Sequence, residues 1–250
     1  AGAVVVGVGT MPEAGASSTG NLSVYGPARN PWNTERCPGG SSSGPGSAVA
    51  ARLVAGAVGA DGIGSIRFPA AYCGLTGLKP SWGRVSRHGA FELAATLDHV
   101  GPIGRSAADA GALLGIIAGH DPNDPTSLVD PVPDYLAAAA QDVRGLRIGV
   151  DPVWNSDDVD VATQRMLADA IDAFRALGAD TVNVRFPDVT QAIADWTPNC
   201  AVEAAVAHEA TYPARKDEYG PILASVIETG RALSALDYQK LLLRRRALGG

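Results

Sequence analysis

The chain has 250 residues, 46% of them hydrophobic and 18% charged, and a formal net charge of −6. That length allows one large domain or two small ones with a sizeable core, and the acidic balance disfavours nucleic acid and acidic lipid as partners. No apolar run approaches the ~18 residues of a membrane span, and no basic-then-apolar opening marks a signal peptide. In chain order, the valine run at residues 4–6, closed by Gly7, predicts a short buried strand. Residues 7–46, rich in Gly, Pro, Ser and Asn, predict a long loop of the kind that carries function. A helix of small side chains is expected over residues 47–55, then a short strand over 58–60 that delivers Asp61-Gly62-Ile63-Gly64 as a turn. Ser65 is expected to open a short helix running to about Tyr72. Ser106 and Asp109 have the spacing of a capping box, opening a helix with Ala110, Leu113, Leu114 and Ile117 on one face and Gly119 as terminator.

The second half reads as a βαβ unit. The run "LRIGV" (146–150) predicts a strand, and residues 160–177 a helix with Leu167, Ala170, Ile171, Phe174 and Leu177 inward. The run "DTVNVRF" (180–186) predicts a second, parallel strand. Helices are expected near 200–211, 221–230 and 234–248. The Pro- and Asp-rich stretch 121–135 is the linker candidate, read as joining two lobes of one sheet. The fold class is therefore α/β, a mixed twisted sheet sandwiched by helices, in a single domain over residues 1–250. A start at Ala1 inside an apparent strand, and an arrest at Gly250 beside a helix, lead us to expect a piece of a longer protein.

Cys37, Cys73 and Cys200 are odd in number, widely spaced and free of any CxxC pattern. They predict reduced thiols in a cytoplasmic protein rather than disulfides or a zinc site, with Cys73 packed in the interior. The chemistry concentrates in "GGSSSGPGSAVAARLVAGAVGADGIGSIRFPAAYCG" (39–74). Gly39 and Gly40 free the backbone of a turn that presents Ser41, Ser42 and Ser43. With Ser65 at a helix start, the N–H groups of residues 62–65 are expected to lack partners, an array suited to the developing oxyanion of acyl transfer. Two rival readings fail on context. Gly40 to Gly44 formally matches the G-x-S-x-G elbow, but a loop with two prolines precedes it and no histidine sits in a matching context. His88, His99, His120 and His208 read as polar loop or surface residues. A phosphate-binding loop would need a Lys after its glycines, and none is there.

The same segment, extended to Gly89, resembles the amidase-signature family almost without gaps. Supporting matches are "MPE" (11–13), "YGPARNPWN" (25–33), "LDHVGPIGRS" (97–106) and "GHDPNDPTS" (119–127). The resemblance implies a partial amidase-signature fold and hydrolysis of a carboxamide C–N bond through an acyl-enzyme. It implies Ser65 as the nucleophile and Ser41 as the bridging serine, with a cis peptide between Gly40 and Ser41. The backbone amides of Gly62, Ile63, Gly64 and Ser65 resemble the oxyanion hole. Ser42 and Asp61 resemble its supporting hydrogen-bond partners, and Arg67 a structural neighbour of the nucleophile. The family's base is a neutral lysine upstream of "MPE". Lys79, Lys216 and Lys240 match no such position, so the chain is expected to lack its base and to be inactive as it stands.

The resemblance implies a small-molecule amide as the partner, neither metal nor organic cofactor, and leaves a homodimer open. Two departures from the family pattern stand out. Ile63 replaces a glycine and is expected to narrow or reshape the acyl pocket; the bridging loop has Ser43 and Pro45 where Gly and a small polar residue are usual, and Pro45 fits only where no N–H is needed. Met11, Ile63, Phe68, Trp82 and part of 196–215 are the pocket candidates, with ordinary core packing as the alternative. Relatives that hydrolyse glutamine as part of an amidotransferase commonly have Gln after "SIR", where this chain has Phe68. A glutamine-hydrolysing amidotransferase component of that kind, and a noncatalytic scaffold, are the alternatives to a free-standing amidase.

Overall fold

The computed structural model describes residues 2–249, so the expectations attached to Ala1 and Gly250 lie outside it. The chain divides into two compact units, one made of residues up to 139 and from 192 onward, the other of Ala140–Gln191. The first unit begins with a long loop, as expected. Residues 4–6 form no strand, however; Val4, Val5 and Val6 are all exposed. A β-branched run becomes a strand only when a ladder receives it, and no described strand pairs with this one.

Helix α1 spans Ser43–Ala50, four residues earlier than the sequence suggests. Pro45 falls in its first turn, where backbone N–H groups have no intrahelical acceptor, so the missing donor costs nothing. Arg52, with φ of 62°, ends the turn that follows. Strand β1 (Gly56–Asp61) leads to the turn at 62–66, and α2 covers Arg67–Cys73, so Ser65 precedes the helix rather than opening it. Strands β2 (Thr76–Gly77) and β3 (His99–Gly104) complete an antiparallel sheet of order β1-β3-β2, with Asp61 opposite His99 and Gly56 opposite Gly104.

Val49 from α1, Ile66 and Ile103 from β3 form a fully buried cluster, with Val54, Ala57 and Leu75 packed against it. Burying a side chain the size of Ile66 contributes about 2 kcal/mol, and it fixes the residue immediately after Ser65. Helix α3 (Ala107–Ile117) carries the anticipated capping box: Asp109 N–H donates to Ser106 Oγ, and Ser106 N–H to Asp109 Oδ2. The short helix α4 spans Tyr135–Ala139.

The second unit is the expected βαβ element. Strand β4 (Arg147–Val150) runs parallel to β5 (Asp180–Asn183), and α5 (Val161–Ala176) lies between them in sequence, capped by Asp160. Its strands form their own two-stranded sheet, so stretch 121–135 does not join two lobes of one sheet among the described residues. The α5 face is also more open than predicted: Leu167 and Ile171 are half-buried, whereas Ala170, Phe174 and Leu177 are exposed.

Helix α6 (Thr190–Ala207) starts ten residues before the expected position and contains Pro198. It is followed by α7 (Tyr212–Arg215), α8 (Pro221–Ala232) and α9 (Ala235–Leu248). A second buried cluster, Tyr212, Leu223 and Ile227, takes in Ala14 and Ala16 of the long loop. Gly220 N–H also donates to Glu13 Oε2 at 2.9 Å, so the loop is anchored both within the "MPE" segment and just after it. Helices α6 and α8 cross at Gly230, where a Cβ would stand 1.9 Å from the Ala201 carbonyl oxygen. Among the described residues, no helix is long and apolar enough to cross a membrane.

Candidate active site

The peptide between Gly40 and Ser41 is cis, as the resemblance implies. The turn around it has no room for side chains on its glycines. A Cβ on Gly39, whose φ is 82°, would lie 2.9 Å from the Pro69 nitrogen, and one on Gly40 2.7 Å from the Thr19 carbonyl oxygen. Ser41, Ser42 and Ser43 are all buried.

Ser42 ties this turn to the strand and to the nucleophile candidate. Its Oγ donates to the Ala60 carbonyl and accepts from Ala60 N–H, both at 3.1 Å, while its own N–H donates to the Ser65 carbonyl at 3.1 Å. Gly59 permits this approach, because a Cβ there would lie 2.5 Å from Ser42 Oγ. Ser43 Oγ bonds back to the Ser41 carbonyl. The Ser41 and Ser65 backbones thus belong to one hydrogen-bonded unit.

Asp61 sets the conformation on the other side. It is 1% exposed, and its Oδ2 accepts the N–H groups of Ile66 at 3.1 Å and Arg67 at 3.4 Å. The same carboxylate makes a two-point ion pair with Arg67, Nε to Oδ2 and Nη2 to Oδ1, each at 3.0 Å. The hydrogen bond to Asp61 holds the Arg67 guanidinium above its ordinary pKa. Phe68 N–H goes to the Gly64 carbonyl.

The amides that follow the turn are therefore taken. Those of Gly62, Ile63, Gly64 and Ser65 have no acceptor among the described residues, although Gly64 and Ser65 are buried. Buried N–H groups without partners are rare and costly. They lie beside two hydroxyls that are also free: neither Ser65 Oγ nor Ser41 Oγ has a hydrogen-bond partner among the described residues, and neither oxygen is closed off from solvent. A hydroxyl flanked by free amides is equipped to attack a carbonyl carbon and to receive the resulting oxyanion.

The neighbours of this unit come from distant segments. Gly15, with φ of 75°, approaches Ser41: a Cβ there would be 3.3 Å from Ser41 Oγ and 3.6 Å from Met11 Cε. Trp196 Nε1 donates to the Gly62 carbonyl at 3.3 Å, a contact that no local pattern in the sequence signals. The Phe68 ring lies against Gly64, Ile63 and Met11 are exposed, and Trp82 lines a cleft that also includes Gly62.

None of the three lysines hydrogen-bonds to either serine. Lys79 Nζ donates to the Pro80 carbonyl, Lys216 pairs with Glu228, and Lys240 with Asp237. His208, expected at the surface, is instead buried, its Nδ1 bonded to the Tyr219 hydroxyl and its ring packed against Phe91. Cys73 is buried as expected, and all three cysteines are free.

Comparison with known proteins bears on the family. The chain is 48% identical over 246 residues to the protein designated amidase AmiD in Mycobacterium tuberculosis, covering 98% of this chain and 51% of that protein. It is 44% identical over 204 residues to the A-subunit of the glutamyl-tRNA(Gln) amidotransferase of Geobacter metallireducens, covering 82% and 42% respectively. A crystal structure of a bacterial aryl acylamidase of the amidase-signature family superposes with a TM-score of 0.81 at 31% identity, covering 94% of this chain and 50% of that one. The chain thus spans about half the length of the relatives it matches. The model of the Amidase family matches residues 1–248, and the chain belongs to that family.

Proposed function

We propose that this chain carries the nucleophile, the bridging hydroxyl and the oxyanion hole of an amide hydrolase. The observation that carries the reading is the row of four unpartnered amides, residues 62–65, beside the unpartnered hydroxyl of Ser65. In this scheme Ser65 Oγ bonds to the substrate's carbonyl carbon as its proton passes to Ser41 Oγ. The Ser41 proton passes in turn to a neutral lysine that lies outside residues 1–250. The amides of residues 62–65 receive the negative oxygen of the tetrahedral intermediate. The C–N bond then breaks, the leaving amine takes a proton back through Ser41, and water releases the acid from Ser65.

Ser42 and Asp61 support the site by holding the Ser65 carbonyl and the Ile66 and Arg67 amides. Without the lysine the isolated chain is expected to be nearly inactive; base removal in a related triad costs roughly 10⁶-fold. The substrate is a small-molecule amide, and the scheme needs neither metal nor organic cofactor. The three free thiols support a cytoplasmic setting. A homodimer is compatible with the scheme, as is one incomplete domain over residues 1–250.

One observation favours a second reading. The 44% identity to an amidotransferase A-subunit supports a glutamine-hydrolysing role within such an assembly. Phe68, an apolar ring against Gly64, supports the free-standing amidase instead.

The test is mass spectrometry after exposure to a serine-reactive fluorophosphonate. This chain is compared with a version extended upstream through the lysine. An adduct on Ser65 in the extended protein, abolished by Ser65→Ala, is the expected result. No adduct on Ser65 in either protein overturns the assignment.

A further inference from the structure

Beside the oxyanion loop lies an open cleft of about 740 Å³, lined by Gly62, Arg67, Lys79, Trp82, Thr96, Leu97, His99, Arg245 and Arg246. Neither hydroxyl of the proposed acyl chemistry is among its lining residues. Its charge is one-sided. Arg67 is neutralised by Asp61. Lys79 Nζ has only the Pro80 carbonyl, and Arg245 donates to the Thr96 hydroxyl and carbonyl oxygens. The Arg246 guanidinium has no hydrogen-bond or ion-pair partner among the described residues.

No carboxylate among the described residues lines the cleft, and two nearby ones are hydrogen-bonded to neutral donors. Asp98 accepts from Leu93 and Ala94 N–H, and Glu203, behind Thr96, accepts from Thr96, Asn199 and Tyr238. Burial and then the charge of Arg67 push Lys79 below its ordinary pKa, and burial and then Lys79 push His99 down.

Three cations without a carboxylate partner, converging on one open volume, are arranged for an anion. Guanidinium groups match carboxylate and phosphate oxygens by two-point hydrogen bonding. The volume is far larger than one such group and falls in the range of small-molecule sites. Trp82 and Leu97 supply an apolar wall for the remainder of the ligand. We propose that this cleft is a binding site for a small organic anion, in which Lys79, Arg245 and Arg246 hold a carboxylate or phosphate while its apolar body lies on Trp82 and Leu97. This site adjoins the oxyanion loop, sharing Gly62 with it, and does not depend on Ser65 being the nucleophile.

Calorimetric titration of the 250-residue chain tests it, with benzoate and phenyl phosphate as separate probes and benzyl alcohol as the neutral control. Saturable binding of at least one anion is expected, and which of the two binds more tightly identifies the headgroup. Arg245→Gln with Arg246→Gln should weaken that binding about tenfold, as two partly solvated ion pairs imply. The double variant Arg165→Gln with Arg185→Gln removes the same charge from exposed positions in the other unit and should leave the affinity within about twofold. Both altered arginines of the cleft are exposed, and a thermal melt of each variant confirms its fold. Three results overturn the proposal: no saturable binding of either anion, equal weakening in the two double variants, or benzyl alcohol binding as tightly as the anions.

Discussion

Asp61→Asn isolates what the buried carboxylate contributes to the turn that carries Ser65. The asparagine keeps one acceptor for the Ile66 amide but loses the two-point ion pair with Arg67. Breaking a fully buried pair from one side costs roughly 3–5 kcal/mol. The Arg67 side chain is 49% exposed, so water screens the pair and can receive the freed guanidinium. The expected loss is therefore about 2 kcal/mol, which for a chain of this size lowers Tm by roughly 4–8 °C. Arg67→Met is expected to cost more, about 3 kcal/mol, because it leaves a carboxylate buried without its counter-charge. Thermal unfolding followed by circular dichroism at neutral pH ranks the two. A melt for Asp61→Asn within about 1 °C of the parent, or the reverse order of the two variants, refutes the reasoning.

Two further outcomes are expected. Gly230→Ala should destabilise by about 2 kcal/mol although alanine is the better helix former, because its Cβ would meet the Ala201 carbonyl oxygen of α6; a denaturant titration showing no loss contradicts the crossing. At pH 8 a disulfide reagent should modify Cys37 alone in the folded chain and all three thiols once it is unfolded. Burial raises Cys73 to about 11 and Cys200 to about 12, so their reactive thiolates are absent at that pH. Rapid labelling of either buried thiol under native conditions contradicts that expectation.

What could be read from the sequence was local. The Ser106–Asp109 capping box and the βαβ unit rest on spacings within one element, and both formed as expected. Residues 4–6 misled because strand propensity says nothing about whether a partner exists. The early part of α6 was missed because Pro198 reads as a break, yet the helix runs through it. The start of α1 was misplaced because Pro45 is a first-turn residue, not a loop residue. The site divides the same way. The identities of Ser41 and Ser65 came from a resemblance carried by contiguous motifs. That the amides of residues 62–65 lack partners was expected from a helix start near Ser65; the fold adds that Asp61 takes the two amides that follow. Contacts such as Trp196 to Gly62 join residues 134 positions apart, beyond any window of periodicity.

Ser65 is followed directly by Ile66, a wholly buried member of the cluster with Val49 and Ile103. Repacking that cluster therefore moves the backbone one residue from the proposed nucleophile, and no flexible spacer absorbs the shift. In the proposed scheme, core drift would displace the Ser65 hydroxyl as well as lower stability. Met11 and Ile63, by contrast, are exposed, and their side chains can change without disturbing that anchor.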